Sequence, residues 1–123
     1  MNRILIELPF PISVNNLKGY GKGNIYLKQK SKEYRQKVRV IIKREIRLHG
    51  YKKLSEQIRV KIIAYEPDNR VRDIDNIKKL LYDSITSASL WEDDSLIRAE
   101  QTEFQRNPYI KAKVFLEILP YAQ

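Results

Sequence analysis

Two consecutive segments with different hydrophobic periods constrain the fold of this chain more than any other feature. Residues 57–65 alternate apolar and polar side chains, which is typical of a half-buried strand. Residues 73–86 repeat apolar side chains every three or four positions, which predicts an amphipathic helix with Asp73 as its N-cap. A strand followed by such a helix favours a layered structure, because the helix must bury its apolar stripe against a sheet.

The remaining patterns extend this layered arrangement along the chain. Further strands are predicted over residues 2–8, 96–104 and 110–119. Ser31 and Gly50 are a good N-cap and a good C′ residue for a second amphipathic helix between them. Residues 12–30 contain three of the four glycines and predict an exposed loop. We therefore predict one α/β domain over residues 1–123, with two layers: a small mixed sheet and two main helices on one face, in the order β-α-β-α-β-β.

Composition limits the kinds of site that the chain can contain. It has no cysteine, which excludes disulfides and thiolate metal sites, and its single histidine, His49, disfavours a zinc site. Carboxylates are therefore the expected metal ligands. The sequence contains no apolar run long enough to span a membrane and no signal-peptide pattern, so we expect a cytoplasmic protein.

The charge is divided unevenly along the chain. Residues 1–65 carry a balance of +12, whereas residues 66–123 carry −3. This division indicates a basic surface for a polyanion and a separate acidic site, although a basic protein without a ligand is the simpler alternative. The predicted loop carries lysines with interleaved tyrosines: Lys18, Tyr20, Lys22, Tyr26, Lys28 and Lys30. The first helix carries a basic stripe: Lys32, Arg35, Arg39, Lys43 and Arg47.

Two acidic clusters flank the second predicted helix. Asp73 and Asp75 lie at its start, where helix capping would explain them without any ligand. Asp93 and Asp94 follow its far end, where ordinary turn chemistry would also explain them. If the chain after Trp91 returned beside the helix start, the four carboxylates would converge. Their repulsion would then favour Mg²⁺, which binds carboxylate oxygens.

Basic residues surround the first acidic cluster. Lys79 lies one helical turn after Asp75, where it could reach a phosphate or form a simple ion pair. Arg70, Arg72 and Lys78 are expected to contact the nucleic-acid backbone, together with Lys28, Lys30, Lys32 and Arg35 on the basic segment. The chain has no nucleophile–histidine arrangement, no P-loop and no dinucleotide-type glycine pattern. Hydrolysis by metal-activated water is the chemistry that these residues favour.

The sequence resembles the RusA-type Holliday-junction resolvases at these residues. The central motif runs from Arg72 to Lys79 and is followed at matching spacing by Asp83, Trp91, Asp93 and Asp94. Further similar positions are Leu8-Pro9-Phe10-Pro11, Asn15-Asn16, Tyr34-Arg35 and Pro67-Asp68. The combination of motifs covers most of the chain and is far more specific than any one pair of residues.

The resemblance implies a small homodimeric endonuclease, bacterial or phage-encoded, that nicks four-way DNA junctions with Mg²⁺ or Mn²⁺. Asp73, Asp75 and Asp94 match the essential acidic residues of the family, Lys79 matches its essential lysine, and Asp93 is a further candidate ligand. Val71 replaces a basic residue found in some members, and the glycine-rich loop also differs. These departures bear on the junction sequence that would be preferred.

Other functions remain open from the sequence. One is a non-catalytic nucleic-acid-binding module that uses the basic loop and helix, and another is a metal nuclease that cuts other branched DNA or RNA. Metal-dependent cleavage would separate the first from an enzyme. For the homodimer, we expect apolar residues left over from the core, such as Leu90, Trp91 and Phe104, to form the interface.

Overall fold

The computed structural model describes residues 3–12 and 21–121, and over residues 21–27 it describes the backbone alone. The chain forms, in order, β1 (Ile4–Pro9), α1 (Gly21–His49), β2 (Ile58–Tyr65), α2 (Ile74–Ser87), β3 (Ile97–Gln105) and β4 (Lys113–Pro120). A single 3₁₀ turn, Asp94–Leu96, precedes β3. The predicted order of elements is confirmed.

The four strands form one mixed sheet in the order β1-β4-β2-β3. β4 pairs antiparallel with both β1 and β2, whereas β2 and β3 are parallel. A parallel pair requires a crossover connection, and α2 supplies it. The loop at residues 66–73 therefore leads from the end of β2 to the start of α2, where the first acidic cluster lies.

Both helices cover the same face of the sheet. Every second residue of β1, β2 and β4 is buried on that face: Ile4, Ile6, Leu8, Ile58, Val60, Ile62, Ala64, Val114, Leu116 and Ile118. Against them α1 packs Tyr34, Val38 and Ile42, and α2 packs Leu81 and Ile85. The predicted two-layer architecture is confirmed. No helix within residues 3–12 and 21–121 is long and apolar enough to cross a membrane.

The first helix begins at Gly21, well before the start that the sequence predicts from an N-cap at Ser31. The predicted loop is helical from Gly21 onward, and Ser31 lies inside α1 as a buried residue instead of capping it. Two features account for the difference. Glycine destabilises a helix less in the first turn than in the interior, and residues 28–33 are mostly good helix formers. Gly50 ends the helix as predicted, with a positive φ of 66° and its N–H bonded to the Ile46 carbonyl at 2.8 Å.

Lys18 and Tyr20, and the side chains of Lys22 and Tyr26, fall outside the described residues.

Leu90 and Trp91 belong to the core and not to an exposed interface. Both are fully buried, so the expectation that they contribute to a dimer contact is wrong, whereas Phe104 is only partly buried. The Trp91 indole N–H donates to the Thr86 hydroxyl at 2.6 Å, and its ring lies edge-on to Tyr82. Large apolar residues near turns look alike in sequence whether they pack inward or outward.

Replacing Trp91 with alanine is expected to lower the free energy of unfolding by about 3–5 kcal/mol, because the loss of a buried aromatic side chain leaves a cavity. Urea denaturation followed by circular dichroism measures the change. Tyr109→Ala is the matched control: this aromatic side chain is 94% exposed, so its loss should cost less than about 0.5 kcal/mol. A Trp91→Ala protein that keeps its stability but changes its oligomeric state would contradict the core assignment.

Candidate active site

The loop before α2 is held by a buried arginine. The Arg72 side chain is only 6% exposed, and it bonds to Glu66 at 3.3 Å and to Asp68 at 2.7 Å. Its guanidinium also donates to the carbonyl oxygens of Asp68 and Arg70 and lies over the Phe10 ring. These bonds tie the Arg72 guanidinium to the loop, and the predicted contact between Arg72 and DNA stays a prediction.

Asp68 is the second fixed point of this loop. A hydrogen bond from the Arg70 backbone N–H, followed by bonds from the Arg72 side chain, lowers the pKa of Asp68 well below its usual range. Arg70 itself is exposed and pairs with Asp68 at 3.3 Å. Its guanidinium therefore lies at the surface, where the predicted phosphate contact remains sterically open.

The two aspartates at the start of α2 have different environments. Asp73 is the N-cap, and its Oδ1 accepts a hydrogen bond from the Asp75 N–H at 2.9 Å. The capping role predicted for Asp73 is confirmed. The Asp75 side chain is 86% exposed, and it lies in the first helical turn, where a negative charge is favoured by the helix dipole. Both aspartates are exposed, but the structure uses an oxygen of Asp73 as the helix cap.

Lys78 joins Asp75 to a third acidic residue, Glu100 on β3. The Lys78 ammonium donates to Glu100 Oε2 at 2.9 Å and lies 3.5 Å from Asp75 Oδ1. The hydrogen bond to Glu100 is the main cause of a raised pKa at Lys78. The sequence predicts a DNA contact for Lys78, but its ammonium is instead engaged by two carboxylates. Lys79, the next residue, is exposed.

Glu100 was not identified from the sequence. Its side chain is 24% exposed, and its Oε1 accepts hydrogen bonds from Tyr82 at 2.5 Å and Thr102 at 2.9 Å. Burial raises the pKa of Glu100, but the bonds from Tyr82, Lys78 and Thr102 outweigh that effect and lower it. An acidic residue on the face of a strand that is covered by helices would indicate a functional role. The sequence alone does not show that Glu100 is on that face, because this depends on the register of β3.

The second acidic cluster precedes β3. Asp93 caps the 3₁₀ turn by accepting from the Ser95 N–H at 3.2 Å, and the hydrogen bonds from Ser95 lower the pKa of Asp93. Asp94 is exposed at the first position of that turn. The pKa of Tyr82 is raised first by burial, then by Glu100 and by the charge of Asp94. Tyr82 therefore lies within electrostatic reach of both Glu100 and Asp94.

The carboxylates do not meet at one point. Among the described residues, which include Asp73, Asp75 and Asp94, no group of three or more histidine, cysteine, aspartate or glutamate side chains is placed to hold a metal ion. The expected convergence is thus not formed here. The donor chemistry nevertheless fits Mg²⁺, which takes one or two protein carboxylates and retains several waters. Asp75 and Asp94 are both exposed enough to be such ligands, and the assignment of the metal ligands stays a prediction.

The outer surface of α1 is strongly basic. Lys28, Lys32 and Arg35 are exposed, and so are the other members of the predicted stripe: Arg39, Lys43 and Arg47. Lys30 is 3.8 Å from Glu33 and is less exposed. Because α1 packs beside α2 in the helical layer, the basic stripe lies in the same layer as Asp73 and Asp75 at the start of α2.

The fold and the site define a small two-layer α/β protein with exposed carboxylates and a basic helical surface. The chain belongs to the RusA endodeoxyribonuclease family: the family model described as "Endodeoxyribonuclease RusA" matches residues 9–118. The family resemblance predicted from the motif is therefore confirmed. The matched segment contains both acidic clusters, Lys79 and Glu100.

Similar proteins are found in bacteria and bacteriophages. The crossover junction endodeoxyribonucleases RusA of Shigella sonnei (strain Ss046) and Escherichia coli (strain K12) are each 33% identical over 97 residues, which cover 79% of this chain and 78% of each relative. The protein of the same name from Enterobacteria phage HK97 is 39% identical over 94 residues, 76% of both chains.

Proposed function

We propose that this chain is a crossover junction endodeoxyribonuclease, which resolves four-way (Holliday) DNA junctions by hydrolysing phosphodiester bonds in paired strands. The observation that carries the proposal is family membership across residues 9–118. The exposed carboxylates of Asp75 and Asp94 and the basic face of α1 support it, because they supply a hydrolytic site and a phosphate-binding surface. The proposed setting is the cytoplasm of a bacterium, with the gene belonging to the host or to a phage.

The residues of the site have distinct proposed roles. Asp73, Asp75 and Asp94, with Asp93 as a further candidate, would hold Mg²⁺ or Mn²⁺. When bound, such an ion would supply a Lewis acid for the phosphate and a water of lowered pKa. Lys79 presents an exposed ammonium one turn from Asp75, where it would stabilise the negative charge that develops on the phosphate during in-line attack by water.

DNA binding is assigned to a different set of side chains. The exposed residues Lys28, Lys32 and Arg35 on α1, together with Arg70, would contact backbone phosphates. Lys30 is a weaker member of this set because it already lies near Glu33. Arg72 is left out because its role in this structure is to fix the loop at residues 66–73.

A nicking assay on a synthetic four-way junction tests the function. The chain should cut the junction with Mg²⁺ or Mn²⁺ and not with EDTA, and it should leave a linear duplex of the same sequence intact. Binding without cleavage under every metal condition would favour the non-catalytic nucleic-acid-binding module. Equal cutting of forked DNA or structured RNA would favour a nuclease of wider specificity.

A symmetric homodimer is part of the proposal. Junction resolution requires paired nicks, and a two-fold dimer presents two equivalent sites from one surface. The interface should bury about 1,200–2,000 Å² or more, and it must use residues other than Leu90 and Trp91, which are in the core. Light scattering at micromolar concentration should give twice the mass of the 14.6 kDa chain. A monomer both free and on junction DNA would contradict this expectation.

A further inference from the structure

Glu100 on β3 forms hydrogen bonds with two residues of α2, Lys78 and Tyr82. Both of its oxygens are used: Oε1 accepts from Tyr82 and Thr102, and Oε2 accepts from the Lys78 ammonium. A carboxylate with three donors from two elements has a fixed orientation. A lysine side chain, by contrast, is flexible unless its ammonium is held in place. The hydrogen bond to Glu100 holds the Lys78 ammonium.

The anchored ammonium faces the proposed active site. Lys78 Nζ is 2.9 Å from Glu100 and 3.5 Å from Asp75 Oδ1, and the Asp75 side chain is otherwise largely in solvent. Without Lys78, an exposed aspartate in the first turn of a helix would sample several rotamers. The contact between Asp75 Oδ1 and the anchored Lys78 ammonium restricts the number of Asp75 rotamers that are populated.

We propose that Glu100 is a positioning residue of the active site, which acts through Lys78 to orient the Asp75 carboxylate. This inference rests on the proposed nuclease function and adds two residues to it. Glu100 does not touch the scissile phosphate, and Lys78 orients Asp75 instead of binding DNA. Tyr82 supports the arrangement by holding the second oxygen of Glu100.

The test compares Glu100→Gln, Lys78→Gln and the double variant in single-turnover nicking of a four-way junction at saturating Mg²⁺. Each single variant should cut about 10- to 100-fold more slowly, because small displacements of a catalytic group cost rates of this size. The Kd for uncut junction in EDTA should stay within about twofold of the wild type. The double variant should be no slower than the slower single variant, since both changes break the same connection.

Two further variants separate positioning from general loss of structure. Glu103→Gln makes the same charge change on the same strand but on the outer face of the sheet, and it should cut at the wild-type rate. Tyr82→Phe removes only one hydrogen bond to Glu100, so it should fold normally and show a smaller rate loss than Glu100→Gln. Thermal unfolding of all variants provides the check on folding.

Several results would overturn the inference. Wild-type cutting by Glu100→Gln would show that Glu100 has no role in the reaction. Multiplicative losses in the double variant would show that Glu100 does not act through Lys78, and a more than tenfold weaker Kd for Lys78→Gln would make Lys78 a DNA contact. A wild-type chain that cuts no junction with any metal would overturn the proposed function and this inference together.

Discussion

Replacing Asp75 with asparagine is expected to slow junction cleavage by at least about 10³-fold while junction binding stays within about twofold. The substitution keeps the shape of the side chain and removes the charge of an exposed carboxylate. A bound divalent cation contributes several kcal/mol of transition-state stabilisation, and each 1.36 kcal/mol corresponds to a factor of ten in rate. Binding should persist, or tighten slightly, because phosphate affinity depends on lysines and arginines.

Parallel nicking and gel-shift measurements on one junction separate the two effects. The variant should remain folded, because a first-turn aspartate contributes only about 0.3–1 kcal/mol to a helix. Glu103→Gln, on the outer face of the sheet, is the control for loss of one negative charge. Equal losses of cleavage and binding in Asp75→Asn would contradict a specific role for Asp75 in hydrolysis.

The second large effect is the dependence of junction affinity on salt. If about six phosphates are contacted, raising the salt from 50 to 200 mM should increase the Kd by about 10³-fold, because bound cations are released from DNA when lysines and arginines replace them. The double variant Lys32→Gln/Arg35→Gln should bind more weakly, and the slope of log Kd against log salt should fall by about two. Fluorescence anisotropy with a labelled junction measures both quantities.

A matched double variant on the other side of the protein provides the control. Arg59 and Lys61 lie on the outer face of β2, away from the helical layer. Arg59→Gln/Lys61→Gln also removes two positive charges, so it should leave the slope unchanged if DNA binds along α1. A larger change in this control than in the α1 variant would place the DNA on the sheet face instead.

The sequence by itself determined the features that depend on local periodicity and local capping. The alternation in residues 57–65 predicted β2, and the apolar repeat after Asp73 predicted α2 with its cap. Gly50 predicted the end of α1, because a positive φ favours glycine. The acidic and basic residues around α2 could also be identified from the sequence, because a motif of that length is specific for one family.

The start of α1 was less predictable because two local signals opposed each other. Glycines at positions 21 and 23 indicated a loop, whereas the lysines and glutamine that follow favour a helix. Leu90 and Trp91 posed a different difficulty. Their hydrophobicity predicts that these residues are buried, but it does not predict whether the same chain or a second copy buries them.

Only the tertiary structure decided the contacts between distant residues. The pairing of β2 with β3 shifts register between Ile58 and Arg59, so that Ile97 and Ala99 oppose consecutive residues of β2. Because side chains alternate along a strand, this shift turns Glu100 toward α2, where it meets Lys78.

The same limit applies to the arginine before the acidic motif. A basic residue beside two aspartates is expected at a phosphate, yet Arg72 is buried against Glu66 and Asp68. The residue type gives the charge of a side chain, but neither the residue type nor the spacing gives the residues that it contacts. The contacts of Arg72 depend on how the loop at residues 66–73 packs against the end of β2. Local sequence patterns do not predict that packing.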